Sequence, residues 1–256
     1  MNAAAPSSPS ATLRLTSAHR RRLREVWRAD DAPRQDALEI ELLALGLLER
    51  HQDGTSGRRS IRVTDAGMQA LADSAARHQV ARSQHDALVE QISLALQAED
   101  RIVWRGLSLD AAPPGLPVAP DEARPDVYSI RHTTDPDDLQ PLVHEIRISR
   151  ADLLADLKRP HRRAVYHDMA AGLYYVLADG IAEAAEIPSE CGVIMLKNGQ
   201  LQTLRPATMR RLYHRSGLPF TVWMALARNA PAPHPQVQPR PPSDDPLENT
   251  GSLGDE

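Results

Sequence analysis

Between Arg82 and Arg228 the sequence alternates strand-like and helix-like segments, and this alternation constrains the fold more than any other feature. The predicted strands are 100–109, 126–132, 142–148, 173–178, 193–197 and 200–204, and the predicted helices are 82–97, 149–158, 161–171, 208–214 and 220–228. Asn198-Gly199 supplies the positive φ angles of a tight type I′ turn, so the last two strands should form a hairpin. The pattern predicts an α/β fold with a mixed sheet flanked by helices.

Residues 12–79 are predicted to form a smaller unit of helices and one short strand. Thr16 or Ser17 can begin a helix that ends near Ala29, and Asp36 can begin a second that runs to Arg50. Glycine-containing turns then precede a strand over 60–64 and a helix over 65–78. This order resembles a winged helix, and the resemblance rests on LEIELLALGLLER (38–50) and RVTDAGMQAL (62–71). The stretch from Arg28 to Asp36 is too short for the extra helix of a full winged-helix domain.

Both ends of the chain are predicted to be disordered, over residues 1–11 and 229–256. The first segment is rich in Ala, Ser and Pro, and the second holds seven of the 21 prolines and almost no large apolar residues. Neither can offset its ordering entropy by burial. The acidic tail carries the whole net charge of −4, so residues 1–228 are neutral overall. Any basic surface for nucleic acid must therefore be local.

The cysteine content and the absence of apolar segments predict a cytoplasmic protein without membrane association. Cys191 is the single cysteine, which excludes an internal disulfide and favours a reducing compartment. The first ten residues lack the basic start and apolar core of a signal peptide, and no apolar run has the length of a membrane span. The histidines show no metal-ligand spacing with Cys191, so we expect no zinc.

Two carboxylates fall on neighbouring predicted strands. Asp126 follows Pro125 at the start of one strand, and Glu145 lies within the next. Strand alternation places Glu145 and Arg147 on one face and Ile146 on the other. A charged pair in an otherwise apolar strand is unfavourable unless it is exposed or has a function. The two carboxylates, Asp126 and Glu145, therefore fit a site for a hard metal ion such as Mg²⁺. Alternatively, Glu145 and Arg147 could form salt bridges with neighbouring strands at a sheet edge.

These residues resemble the PD-(D/E)XK pattern of the restriction-endonuclease-like fold. Pro125-Asp126 and Glu145-Ile146-Arg147 match the motif, and EIRISRADLLADLK (145–158) with IPSECGVIML (187–196) resembles the MmcB-like DNA-repair branch of that superfamily. The resemblance covers roughly 124–206, within a predicted domain of residues 80–228. It implies a DNA-related role and a Mg²⁺ or Mn²⁺ site formed by Asp126, Glu145 and the carbonyl of Ile146. Glu90, in the preceding helix, is a further candidate ligand.

Arg147 departs from the family pattern, which has lysine at this position. Arginine can hold a phosphate, but it does not readily lose a proton and is a poor general base. Lys158, on the following helix, is a candidate for the missing amine. The departure puts catalysis in question, although it leaves the predicted fold unchanged.

Two basic clusters could contact DNA phosphates. The first includes Arg20, Arg21 and Arg24 on the first helix, and the second includes Lys158, Arg159 and Arg162 after the candidate site. Either cluster is also compatible with a solvated helix face.

The sequence therefore supports two functional hypotheses. In the first, the protein is a metal-dependent DNA nuclease or nuclease-derived repair protein in which Asp126, Glu145 and Arg147 are catalytic and a metal-activated water cleaves the phosphodiester. In the second, the fold has lost catalysis at Arg147 and the protein binds DNA or regulates another process. The sequence leaves open whether the protein forms a homodimer and whether the acidic tail binds another protein.

Overall fold

The structure is a computed structural model that describes residues 15–28, 33–52, 54, 57, 59–109, 124–210 and 218–234. The chain divides into two compact units, Met1–Arg82 and Ser83–Glu256. Among the described residues, no helix combines the length and the apolar character needed to cross a membrane. The predicted disordered segment 1–11 and most of the proline-rich stretch 111–125 lie outside these residues.

The first unit is small and is built around one hairpin. Its elements are α1 (Ser17–Arg28), α2 (Ala37–Ala44), β1 (Leu48–Gln52), β2 (Arg59–Val63) and the first part of α3 (Asp65–Ala98). The Asp36 side chain accepts a hydrogen bond from Glu39 N at 2.8 Å, which confirms the predicted start of α2, and Thr64 Oγ1 accepts one from Gly67 N at 3.1 Å at the start of α3. The core of this unit consists of Leu23, Val26, Leu42, Leu48 and Ile61.

The predicted helix over 38–50 is wrong in its second half. Helix α2 ends at Ala44, and Gly46 follows with a φ of 68°, a conformation that glycine adopts without strain. Leu48 then begins strand β1, which pairs antiparallel with β2 so that Leu48 lies opposite Val63. Leu48 is buried in the hairpin, so its apolar character fits a strand as well as the predicted helix.

The second unit contains a six-stranded mixed sheet. Besides the rest of α3, its elements are β3 (Arg101–Arg105), β4 (Val127–Arg131), β5 (Leu142–Arg147), α4 (Arg150–Leu157), α5 (Pro160–Met169), β6 (Gly172–Leu177), β7 (Gly192–Lys197), β8 (Gln200–Arg205) and α6 (Phe220–Arg228). The strand order is β3-β4-β5-β6-β7-β8. Strands β5, β6 and β7 are parallel, and the other pairs are antiparallel. The predicted α/β class with a mixed sheet is therefore confirmed.

Helices cover both faces of this sheet. Leu88, Ile92 and Leu96 of α3 pack in one apolar cluster with Ile146 and Val176. A larger cluster contains Val143 and Tyr175 from the same two strands, together with residues of α4, α5 and α6. Neighbouring positions of β5 and β6 thus face opposite layers, as strand alternation requires. Every residue of β5 is buried, because β5 is a central strand covered on both sides.

Local signals located most of these elements. Asn198 and Gly199 have φ angles of 50° and 78° in the β7–β8 turn, which confirms the predicted hairpin. The helices predicted over 65–78 and 82–97 are one continuous helix, α3. The helix predicted over 208–214 is absent at 208–210, and its remaining positions lie outside the described residues.

The first part of the predicted disordered tail packs on the second unit. Ala232 N donates a hydrogen bond to Val103 O at 2.7 Å, and Trp104 Nε1 donates one to Asn229 O at 3.0 Å. Gln97 Nε2 donates to Ala232 O at 3.0 Å. The predicted start of the tail at 229 is therefore wrong, because backbone groups of residues 229–232 satisfy polar partners on β3 and α3. Residues 235–256 lie outside the described part.

Candidate functional site

The β4–β5 pairing brings Asp126 beside the middle of β5. Val127 lies opposite His144, so Asp126, just before β4, comes level with Glu145 and Ile146. Asp126 Oδ2 accepts a hydrogen bond from Ile146 N at 2.8 Å. Two of the predicted site residues, which are distant in sequence, are thus joined by sheet register.

Arg147 is the centre of this site. Its Nη1 donates to Asp126 Oδ2 at 3.1 Å and to the Ile146 carbonyl at 2.6 Å. Its Nη2 donates to Glu145 Oε2 at 2.5 Å and lies 3.0 Å from Asp156 Oδ1. One guanidinium therefore contacts three carboxylates and a backbone carbonyl, a use of its fixed fork of donors that lysine could not reproduce.

Arg162 of α5 adds a second cation to the cluster. Its Nη1 donates to Asp156 Oδ1 at 3.0 Å, and its Nη2 lies 3.3 Å from Glu145 Oε2. The Tyr175 hydroxyl donates to the other oxygen of Asp156 at 2.7 Å. When Glu145 is ionised, three carboxylates face two guanidinium groups, so most of the charge is balanced inside the cluster.

Burial sets the protonation of Glu145. Burial raises the pKa of Glu145 to about 7, and the nearby charge of Arg147 only partly opposes this rise. Glu145 Oε1 is shielded from solvent and has no hydrogen-bond partner of normal geometry among the described residues. Glu145 Oε2 thus contacts both guanidinium groups, whereas Oε1 contacts neither at hydrogen-bond distance.

The other two carboxylates remain ionised at lower pH. Burial would raise the pKa of Asp126, but the hydrogen bond from His85 and the charge of Arg147 outweigh it and lower the pKa. Burial likewise opposes ionisation of Asp156, while Arg147 and the Tyr175 hydroxyl lower its pKa. Burial lowers the pKa of Arg147, but its carboxylate neighbours raise it further, so Arg147 stays charged.

A cavity of about 350 Å³ opens at this cluster. Its lining includes Asp126, Arg147, Asp156, Arg159 and Arg162, and His85 of α3 lies at its side. His85 Nε2 is 3.4 Å from Asp126 Oδ1, and hydrogen bonding to Asp126 raises the pKa of the imidazole. The cavity therefore presents cations and anions side by side instead of a surface of one sign.

Sequence reasoning missed His85, Asp156 and Tyr175 as members of the site. Asp156 follows Asp152 by four positions in α4, a spacing that places both on one helix face. That spacing was a usable signal, and both residues line the cavity. The sequence around His85 and Tyr175 carried no comparable signal.

The expected Mg²⁺ or Mn²⁺ ligands do not fit a metal ion in this arrangement. The carboxylates of Asp126 and Glu145 and the carbonyl of Ile146 all contact the Arg147 guanidinium. A hard cation would have to bind the same oxygens that the guanidinium contacts. The two cations would then compete for the same space and repel each other. The Arg147 guanidinium lies within hydrogen-bond distance of all three oxygen-bearing groups that were expected to bind the metal.

Glu90 is not part of the cluster. It pairs with Arg105 Nη1 and lines a neighbouring cavity of about 490 Å³, which shares His85 and Asp126 with the first. Its carboxylate is half exposed. Glu90, the fourth expected metal ligand, is therefore not in place.

The basic residues predicted to contact DNA have different surroundings. In the second unit Lys158 and Arg159 are exposed, whereas Arg162 is largely committed to Asp156 and Glu145. In the first unit the Arg20 side chain donates to the Leu15 carbonyl, while Arg21 and Arg24 line a concavity of about 600 Å³ on α1. Each unit thus has exposed cations that are available for phosphate contact.

Comparison with known proteins adds little. No protein-family model and no curated protein matches the chain. A solved structure of a protein of unknown function from Silicibacter pomeroyi is similar over 55% of this chain and 79% of its own, with 19% sequence identity and a TM-score of 0.39. This likeness assigns no function.

Proposed function

We propose that this protein is a nuclease-derived DNA-binding protein in which Arg147 has replaced the catalytic metal ion. One observation carries the proposal: the guanidinium contacts Asp126, Glu145 and the Ile146 carbonyl, which are the oxygens that the PD-(D/E)XK resemblance assigns to the metal. A fixed organic cation can stabilise the strand ends and the cavity. It cannot generate the hydroxide nucleophile that a metal-bound water supplies.

The exposed cations support DNA as the partner. Arg159 lines the cavity and is exposed, and Lys158 precedes it at the turn between α4 and α5. Side chains of this kind neutralise phosphates and release counterions, which makes binding depend strongly on salt. We also propose a cytoplasmic location, because the single cysteine is free and buried and suits a reducing compartment.

A metal-dependent nuclease is the second candidate. Glu145 Oε1 favours it, because this buried carboxylate oxygen has no hydrogen-bond partner of normal geometry among the described residues. In this version Arg147 would have to leave its position before a metal could bind. The two candidates therefore differ in what Mg²⁺ or Mn²⁺ does to the protein.

The test combines a cleavage assay with a binding assay on the full chain. Plasmid and linear DNA are incubated with Mg²⁺, Mn²⁺ or a chelator, and binding is followed by gel shift over a range of salt concentrations. We expect intact DNA in all metal conditions and a salt-dependent shift. Arg159→Ala should weaken binding and lower the salt slope by about one, while Lys197→Ala, on the exposed β7–β8 hairpin, should not.

Two results would overturn the proposal. Metal-dependent cleavage that disappears in both Asp126→Ala and Glu145→Ala would establish the nuclease. The absence of any gel shift at low salt would exclude DNA as the partner.

A further inference from the structure

We infer that His167, Glu190 and Cys191 form a zinc-binding site, separate from the Arg147 cluster. One ligand atom from each residue can be chosen so that all three lie within 4.8 Å of one another. The ligand atoms of a tetrahedral zinc ion are roughly 3.5 Å apart, so small side-chain rotations would close the site. The expectation of no zinc considered sequence spacing alone, and the fold brings together residues that spacing does not connect.

The side chain of His167 lacks the hydrogen-bond partners that a shielded imidazole normally has. Both of its ring nitrogens are shielded from solvent, and neither has a hydrogen-bond partner among the described residues. Buried polar atoms are normally satisfied, so an imidazole with two unpaired nitrogens is unusual. A metal ion bound at one nitrogen would satisfy it. Burial, followed by the charge of Arg210, lowers the pKa of His167 and keeps the imidazole in the neutral form that binds metals.

The segment that carries the other two ligands is held rigidly. Arg205 Nε donates to the Cys191 carbonyl at 3.0 Å, and its Nη2 donates to the carbonyls of Ile187 and Pro188 at 3.0 and 2.8 Å. Cys191 N donates to Pro188 O at 3.0 Å, and Thr208 N donates to Glu190 O at 3.0 Å. These bonds position Glu190 and Cys191 at the start of β7, opposite the last turn of α5. Ligands that are already ordered lose little freedom when a metal binds.

The donor set selects zinc over magnesium. A thiolate, an imidazole and a carboxylate offer sulfur, nitrogen and oxygen, the combination that suits a borderline-soft ion. With a neutral imidazole, one thiolate and one carboxylate balance the two charges of Zn²⁺. Burial, and after it the charge of Glu190, raises the pKa of the Cys191 thiol to about 11, while the nearby arginines oppose this rise, so a metal that binds here displaces the thiol proton. No fourth His, Cys, Asp or Glu joins the group within the described part of the chain, so the fourth position is left for water or another ligand.

The experiment measures metal content and cobalt spectra of the full chain after any affinity tag has been removed. Elemental analysis of protein grown with zinc should give about one zinc per chain. Replacement of zinc by Co²⁺ should produce a thiolate-to-cobalt charge-transfer band in the near ultraviolet and the visible bands of tetrahedral cobalt. A chelator should lower the midpoint of thermal unfolding, and added zinc should restore it.

The variants are Glu190→Gln, His167→Gln and Cys191→Ser, with His132→Gln as a control on an exposed histidine. Glu190 is only partly buried and the change preserves its shape, so this variant should fold even if Cys191→Ser does not. We expect the three site variants to lose most of the bound zinc and the thermal shift, and Cys191→Ser to lose the charge-transfer band. A wild-type protein without zinc, cobalt bands or a zinc-induced thermal shift would overturn the inference. Undiminished zinc in Glu190→Gln and His167→Gln would also overturn it.

Discussion

Replacing Arg147 with alanine tests whether its guanidinium is the cation of the site. The change leaves Glu145, Asp126 and Asp156 without their shared partner, and Glu145 is 1% exposed. Breaking a buried ion pair by removing one partner costs about 3–5 kcal/mol, because the remaining charge stays buried. We expect the loss near the lower end, since Arg162 still contacts Glu145 and Asp156. Arg147→Lys should lose less stability than Arg147→Ala, because lysine keeps the positive charge. Some loss should remain, because lysine lacks the planar fork of donors.

The assay is denaturant unfolding combined with hydrogen exchange of the β5 amides, which reports on the second unit directly. Arg131→Ala is the matched control, because Arg131 forms an exposed pair with Asp138 at 3.0 Å. Exposed pairs contribute less than about 1 kcal/mol. A loss for Arg147→Ala no larger than that for the control would show that Arg147 does not hold the cluster together.

The same variant tests the metal. Arg147→Ala removes the guanidinium and frees Asp126, Glu145 and the Ile146 carbonyl as ligands. Mn²⁺ at 100 times its dissociation constant should then stabilise the variant by about 2.7 kcal/mol, while the wild type should gain nothing. Equal stabilisation of wild type and variant by Mn²⁺ would refute the replacement of the metal by Arg147.

Three further predictions concern pH, the C-terminal segment and packing. Burial raises the pKa of Glu145 from 4.5 to about 7, so the folded protein holds this proton longer than the unfolded chain and loses stability as the pH rises between these values. Glu145→Gln removes that loss, and its stability relative to wild type should rise by about 3 kcal/mol between pH 4.5 and 7 in urea unfolding; a constant difference would contradict this. Truncation after Arg228 should cost roughly 1–3 kcal/mol through the lost partners of Gln97, Trp104 and the Val103 carbonyl. Truncation after His234 should cost nothing measurable in the same assay, and equal losses would place the stabilising contacts elsewhere. Gly192→Ala should destabilise the sheet by roughly 1–3 kcal/mol, because a Cβ would lie 2.3 Å from the Tyr174 ring and 2.7 Å from Ala207 N; an unchanged thermal midpoint would contradict the predicted clash.

The site could be predicted in part because strands that are consecutive in the sequence are often neighbours in the sheet. Asp126 immediately precedes β4 and Glu145 lies within β5, and the short connection between these consecutive strands favours an antiparallel pair. The PD-(D/E)XK resemblance marked the same residues and also marked Arg147 as the departure. The partners of Arg147 were not predictable, because a side chain that departs from a motif can turn toward solvent or toward its neighbours, and only packing decides which.

The sequence by itself determined the features that depend on a few adjacent residues. Asn198-Gly199 made the hairpin, Asp36 and Ser149 capped their helices, and alternating apolar segments defined the α/β class. These signals act through local backbone geometry and hydrogen bonds, so they can be recognised in the sequence before the fold is known.

Only the tertiary structure decided which distant side chains meet. Asp156 of α4, Arg162 of α5 and His85 of α3 reach the Arg147 cluster because helices pack on both faces of β5. His167 meets Cys191 because the last turn of α5 lies beside the start of β7. Leu48 lies in strand β1 because the neighbouring strand β2 is available to pair with it, with Val63 opposite Leu48. In each case the outcome depends on strand order, register and helix packing. These features result from many contacts between residues that are far apart in the chain.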